Sequence, residues 1–221
     1  MILRPEASML DVHPPDHKLH GVGDFFLHLF TITVGLLIAL SLEGLVERAH
    51  HNHLREEATV NIMQELKDNR KNMQDASVAL RGEHDNLLGV LAFAAARKAN
   101  QPYDVSTLSV SFNIVALHDA SWNTAATTGG LSYMDYGRVQ DFAAVYKLQE
   151  KYLHLQEETL EEFIEMQSYV VTGEDPMKIP VTEVTAAEPT VRRALSHLKA
   201  MQDIGASLTK NYDATLKAEQ P

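Results

Sequence analysis

The sequence predicts an all-α protein in which one transmembrane helix continues into a long helix, leading into an antiparallel helical bundle of about three long helices plus one short helix. Three observations predict it. An uncharged apolar run lies near the N-terminus, apolar residues recur at steps of three and four over long later stretches, and strand-like alternation is confined to two short segments. The expected organisation is a flexible tail over 1–23, a transmembrane helix over 24–46 and a helical bundle domain over 47–221.

The tail carries three prolines and no helical period, so it has no means of burying a face. From Phe25 to Leu42 there follow 18 residues without a formal charge, bounded by Asp24 and Glu43. Extended through Val46, the run would rise about 33 Å at about 1.5 Å per residue, enough to cross the hydrocarbon of a bilayer. A buried core helix of this length would show a polar stripe, and none is present. Ala39 and Ser41 have the small-residue spacing that a signal peptidase needs, but Arg4 and Lys18 make a weak basic leader. Basic residues are nearly balanced across the run, with Arg48 and Arg55 after it. The free amine tips the balance toward a cytoplasmic N-terminus, with 47–221 on the periplasmic side of a bacterial inner membrane.

No proline follows until Pro102, so a single helix can run through Lys98. Ile62, Leu66, Met73, Ala76, Leu80, Leu87, Leu91 and Ala94 keep the three-four spacing of a coiled-coil-like seam, with Asn69 and Glu83 in the two remaining places. A second long helix shows the same seam from Val139 through Phe142, Tyr146, Gln149, Leu153, Gln156, Leu160, Phe163 and Gln167 to Val170. Its three glutamines suit a bundle with one flank wet or facing another subunit. Ser132 with Asp135 reads as a capping box ahead of it, and Thr172-Gly173 as its stop. The third helix is expected after Pro189, with Val191, Leu195, Leu198, Gln202, Leu208, Tyr212 and Leu216 on one side. The short helix is expected from Asp119 to Thr128, ending at Gly129.

Residues 105–114 alternate apolar and polar, as does the stretch 177–184, and together they suggest a minor β-hairpin. Such a pair is marginal on its own in water.

Composition excludes several kinds of chemistry. The chain has no cysteine, which removes disulfides, thiolate catalysis and iron-sulfur ligation. A net charge of -11 without a basic patch argues against nucleic acid as a partner. Phosphate loops, nucleophile elbows and the His-Glu-x-x-His metalloprotease pattern are missing. The expectation is a non-enzymatic chain with no cofactor, whose partners are the lipid bilayer and either further copies of itself or another membrane protein.

Two stretches carry candidate sites. In EGLVERAHHNHLREE, helical spacing brings Glu47, His50, His53 and Glu57 to one face, and Glu47 with His50 forms one Glu-x-x-His step. A carboxylate and an imidazole one turn apart can hold a divalent metal or respond to protons near neutrality. A dimetal bundle centre needs a second such step, which the chain lacks, and a simple interfacial collar of histidine and arginine accounts for the same residues. The leader histidines His13, His17 and His20 would be separated from this collar by the bilayer, and His28 falls one turn inside it. In the second stretch, 118–140, the only tryptophan, Trp122, could wall a ligand pocket anchored by Asp119 or Asp135 with Tyr136 nearby. Trp122 packed in the core of a capping helix is the plainer reading. The paired acids Glu157-Glu158 and Glu161-Glu162 are expected on a solvated face.

The segments 32–40 with Glu43, 50–53, 121–125, Thr128-Gly129 and 134–136 resemble a family of uncharacterised bacterial single-pass membrane proteins with an N-terminal span and a helical C-terminal domain. The resemblance covers about half the chain in patches, and the tryptophan-to-tyrosine stretch carries most of it. It implies a topology and no activity.

Overall fold

The computed structural model describes residues 21–169 and 175–218. It contains four α-helices, α1 (Val22–Lys98), α2 (Ala120–Thr127), α3 (Tyr136–Ser168) and α4 (Val181–Ala218), with short 3-10 turns at Val105–Thr107, Gly130–Tyr133 and Pro176–Lys178. No strand occurs among the described residues. The tail with its three leader histidines, and the Thr172-Gly173 stop with Val170, lie outside them.

The chain divides into two units, one ending at His50 and the other beginning at His51. In the first, α1 contains a stretch long and apolar enough to cross a membrane, and no residue of that stretch is buried by protein. Its hydroxyls, and one ring nitrogen of His28, find partners inside the helix. Thr31, Thr33 and Ser41 each donate to the carbonyl four residues back, at 2.9, 2.8 and 2.7 Å, and His28 Nδ1 donates to the Asp24 carbonyl at 2.9 Å. A helix that meets its own hydrogen-bond needs can lie in hydrocarbon without penalty.

The second unit is a bundle. Ile62, Leu66, Met73, Leu80 and Leu87 of α1 are buried with Phe142, Tyr152 and Phe163 of α3 and Leu198, Met201 and Leu208 of α4 in one core. The three-four seams of α1 and α4 are therefore faces that meet, while in α3 the seam holds at Phe142, Tyr146, Gln149, Gln156 and Phe163 but Tyr152, Thr159 and Met166 are buried where the sequence places Leu153, Leu160 and Gln167. Gly82 and Gly89 do not interrupt α1. Contacts of Arg70 with Asp213 and of Lys98 with Glu188 show that α4 runs antiparallel to α1. Glu65 meets Tyr146 and Asn69 meets Gln149, so α1 and α3 run parallel.

That parallel pairing requires a crossover, and residues 108–118 supply it as an extended strap returning along α1 and α3. The predicted hairpin is thus corrected. The alternation holds through Val110 and Phe112, which pack on the core with Phe112 stacked on Phe163 at 5.0 Å, but it then slips by one residue, leaving Ile114 61% exposed and turning Val115 and Leu117 inward. The strap's hydrogen-bond partners, however, are helix side chains, and the expected partner strand is instead a 3-10 turn and the first turn of α4.

Two helix starts also differ from expectation. Helix α4 begins at Val181, eight residues before Pro189, because Pro180 supplies the start: its carbonyl accepts from Glu183 N and Val184 N. Pro189 is carried within the helix, where burial of Val184, Thr190 and Val191 on either side offsets the lost backbone bond. At α3, Asp135 is itself the N-cap, accepting from Gly137 N at 2.9 Å and Arg138 N at 3.3 Å, while Ser132 belongs to the preceding 3-10 turn. The short helix forms as expected, and Gly129 ends it at φ 81°, a left-handed conformation that glycine adopts freely.

Candidate functional site

The segment from α2 to the start of α3 folds as a cap against α1. Gly130 is buried where a Cβ would sit 3.0 Å from Ala58 Cβ and 3.3 Å from the Leu54 carbonyl oxygen, so the turn packs closely on the helix and a side chain there would require a local shift. Tyr133, in the same turn, stacks on the ring of His51 at 3.9 Å. Trp122 is half-buried and stacks on Tyr146 of α3 at 5.3 Å.

Beneath Trp122 lies a buried carboxylate that the sequence reading passed over. Glu65 Oε1 accepts from the Tyr146 hydroxyl at 2.6 Å, and Oε2 accepts from Ser121 N at 2.8 Å in the first turn of α2. Asp119 occupies the N-cap position without a side-chain capping bond, so Glu65, 56 residues away in sequence, satisfies that turn instead. Burial, together with the bond to Glu65, holds the Tyr146 phenol far above its usual range. The phenol stays neutral and donates.

A second polar layer adjoins it. Asn69 and His118 exchange two bonds, His118 N to Oδ1 at 2.8 Å and Nδ2 to the His118 carbonyl at 2.6 Å. Gln149 donates to the same carbonyl at 3.0 Å and accepts from Asn69 at 3.1 Å and from the Tyr212 hydroxyl of α4 at 2.7 Å. Farther along, Gln156 both accepts from Val115 N at 2.9 Å and donates to its carbonyl at 3.1 Å, and Asn72 donates to the Ala116 carbonyl at 2.9 Å. Glu83 accepts from the backbone and side chain of Asn113 at 2.7 and 2.8 Å. These polar seam residues act as surrogate peptide groups for the strap, closing backbone bonds that a neighbouring strand would otherwise close. Expectations of a wet flank or a subunit contact at Gln149 and Gln156 are replaced by this use.

The residues predicted as sites are distributed as follows. His53 Nε2 is 3.8 Å from Glu57 Oε2, with both side chains largely exposed; Glu47 and His50 are exposed in the first unit. Among the described residues no three His, Asp or Glu side chains are grouped closely enough to share a metal ion. Asp119 is exposed beside Tyr146 and Gln149, on the rim of a surface groove that also includes Lys147 and Lys151. The Asp135 carboxylate is engaged in capping α3, and Tyr136 is 74% exposed, with its hydroxyl accepting from Gln140 at 3.1 Å.

One acid turns out differently. Glu157, Glu158 and Glu161 face solvent, but Glu162 is buried in the α3–α4 seam, with Oε2 3.2 Å from His197 Nδ1 and Oε1 3.4 Å from Arg193 Nε. Burial raises its carboxyl above the usual range, while His197 and Arg193 pull it back. The signal for this was available in the register: Glu162 follows Thr159 by three residues and precedes Met166 by four, on the face that meets α4.

No known protein family, curated protein or solved structure matches the chain.

Proposed function

We propose that the chain is a non-enzymatic, membrane-anchored helical scaffold or accessory subunit, with its bundle on the periplasmic side of a bacterial inner membrane, acting through protein partners. The observation that carries this reading is the use made of the buried polar side chains. Asn69, Glu65, Gln149, Gln156 and Tyr146 all spend their hydrogen bonds on the chain's own backbone and on one another. Groups so engaged position the strap and the cap, and they give the bundle one rigid surface to present. An apolar helix with no protein covering it supplies the anchor.

In-cell crosslinking followed by purification from detergent extract tests the proposal. A defined covalent adduct with a second membrane protein, or with another copy of the chain, is the expected result; a monomer without associated protein contradicts it. A metal-holding or proton-responsive collar is the competing reading, favoured by the pairing of His53 with Glu57. Stoichiometric metal in the purified protein, lost on His50→Ala with His53→Ala, would establish that reading instead.

A further inference from the structure

The strap is attached to α1 by one charged side chain, and that side chain is incompletely satisfied. Glu83 is 2% exposed. Its Oε1 takes both bonds from Asn113, while Oε2 is buried with no hydrogen-bond partner among the described residues. The surroundings supply no compensating charge. One turn away on α1 stand Ala79, Leu80, Asn86 and Leu87, all uncharged. Residues 108–117 of the strap carry no ionisable side chain. From α3 the ionisable neighbour is Tyr152, a buried phenol that the Glu83 charge helps to keep protonated. At the level of Leu80, α4 contributes Gln202, whose amide donates to the Leu80 carbonyl at 3.4 Å.

A carboxylate held in such a place costs more than a neutral carboxyl, because an unpaired buried ion loses its hydration without regaining it. We propose that the strap is a proton-controlled latch, closed on α1 when Glu83 is neutral and released more often when Glu83 is ionised. Opening would hydrate Glu83 and uncover the carboxamides of Asn69, Gln149 and Gln156, which are arranged to hold an extended backbone. Burial, the largest influence on Glu83, raises its carboxyl above the ordinary glutamate range, against the smaller lowering effect of Asn113. The sign follows. With the closed-state pKa above the open-state one, the closed form has its full advantage below the ordinary glutamate range and loses it as pH rises through the raised value. Each unit of difference between the two states multiplies the open population by about ten across that window.

Site-resolved amide hydrogen exchange on the full-length protein in detergent micelles, between about pH 5 and about pH 8, tests the latch. After correction for intrinsic exchange rates, protection at Asn113 and Val115 should fall with rising pH, while amides in the centre of α3 keep theirs. Glu83→Gln, which cannot ionise, should abolish the pH dependence at the strap. A flat profile in the wild type, or the same slope in Glu83→Gln, overturns the proposal. Should that variant fail to fold, the Glu83 carboxyl can be titrated by carbon NMR in the wild type: a raised pKa with strap resonances shifting at the same midpoint supports the latch, and titration in the ordinary glutamate range overturns it.

Discussion

Helix α1 includes two regions of opposite chemistry. Between Phe25 and Val46 its large apolar side chains are exposed on every side, with Leu36 58% and Ile38 56% accessible. Beyond His51 the buried residues lie on one stripe, from Ala58 through Ile62, Leu66, Met73, Leu80 and Leu87 to Ala94, and most of the charged residues lie off it, with Glu65 and Glu83 the buried exceptions. The same helix therefore carries one stretch apolar enough to cross a membrane and one stretch covered on a single face by protein. In the first region lipid would provide the apolar surroundings that protein does not, so uniform hydrophobicity suffices and register is unimportant. In the second, burial comes from α3, α4 and the strap, so each position has a particular neighbour.

Substitutions should separate the two regions cleanly. The largest effect is expected from Leu36→Arg with Ile38→Arg. Each arginine opposes insertion by about 2.5–3.5 kcal/mol, so the protein should move from the alkali-resistant membrane fraction to the soluble one while the bundle keeps its helicity by circular dichroism. Leu198→Ala should do the reverse. Leu198 is fully buried, and its truncation should destabilise the bundle by about 2–5 kcal/mol in chemical unfolding, with membrane fractionation unchanged.

A smaller effect is expected at the strap. Gln156→Leu leaves the Val115 N–H and carbonyl without their partner, and each buried orphan costs about 1–3 kcal/mol. The loss should appear first as faster amide exchange at Val115, ahead of any change in α4. The smallest effect belongs to the surface. Lys199 and Asp203 pair at 2.6 Å with both side chains more than 60% exposed, and Lys199→Ala should change the unfolding free energy by no more than about 0.5 kcal/mol.

The same contrast explains how much was legible in the sequence. The long apolar helix can be read because it depends on composition alone, and the seams of α1 and α4, with most of that of α3, because periodicity records which face is covered. Asn69, Glu83, Gln149 and Gln156 could be located in those seams, but their purpose could not. Their partners are backbone groups of a strap tens of residues distant, and a backbone group leaves no mark in the sequence. The strap's alternation is visible in the sequence and places Val110 and Phe112 inward, but it puts Ile114 there too, which is 61% exposed because the chain shifts register and turns Val115 and Leu117 inward instead; nor does alternation distinguish a partner strand from a row of carboxamides. Pro189 misled because a proline is a start signal only where no earlier one has acted, and Pro180 had. Glu65 was hidden by its type: glutamate one residue before Leu66 reads as solvated until Tyr146 and Ser121 are seen to close on it. For the candidate sites, Trp122 lies in the short helix as the sequence implies but is half-buried, not enclosed in the core, whereas Asp135 and Tyr136 belong to the start of α3, one as its cap and one in solvent.

Because the chain contains no cysteine, its topology can be measured with single introduced thiols on an otherwise silent background. Ala206 is exposed on α4, and Ser8 lies in the N-terminal tail. In intact cells with a permeabilised outer membrane, a membrane-impermeant maleimide should label Ala206→Cys and leave Ser8→Cys unmodified until the inner membrane is broken. The reverse pattern would contradict the proposed orientation, and labelling of both positions before lysis, or recovery of the protein in the soluble fraction, would contradict the anchored bundle itself.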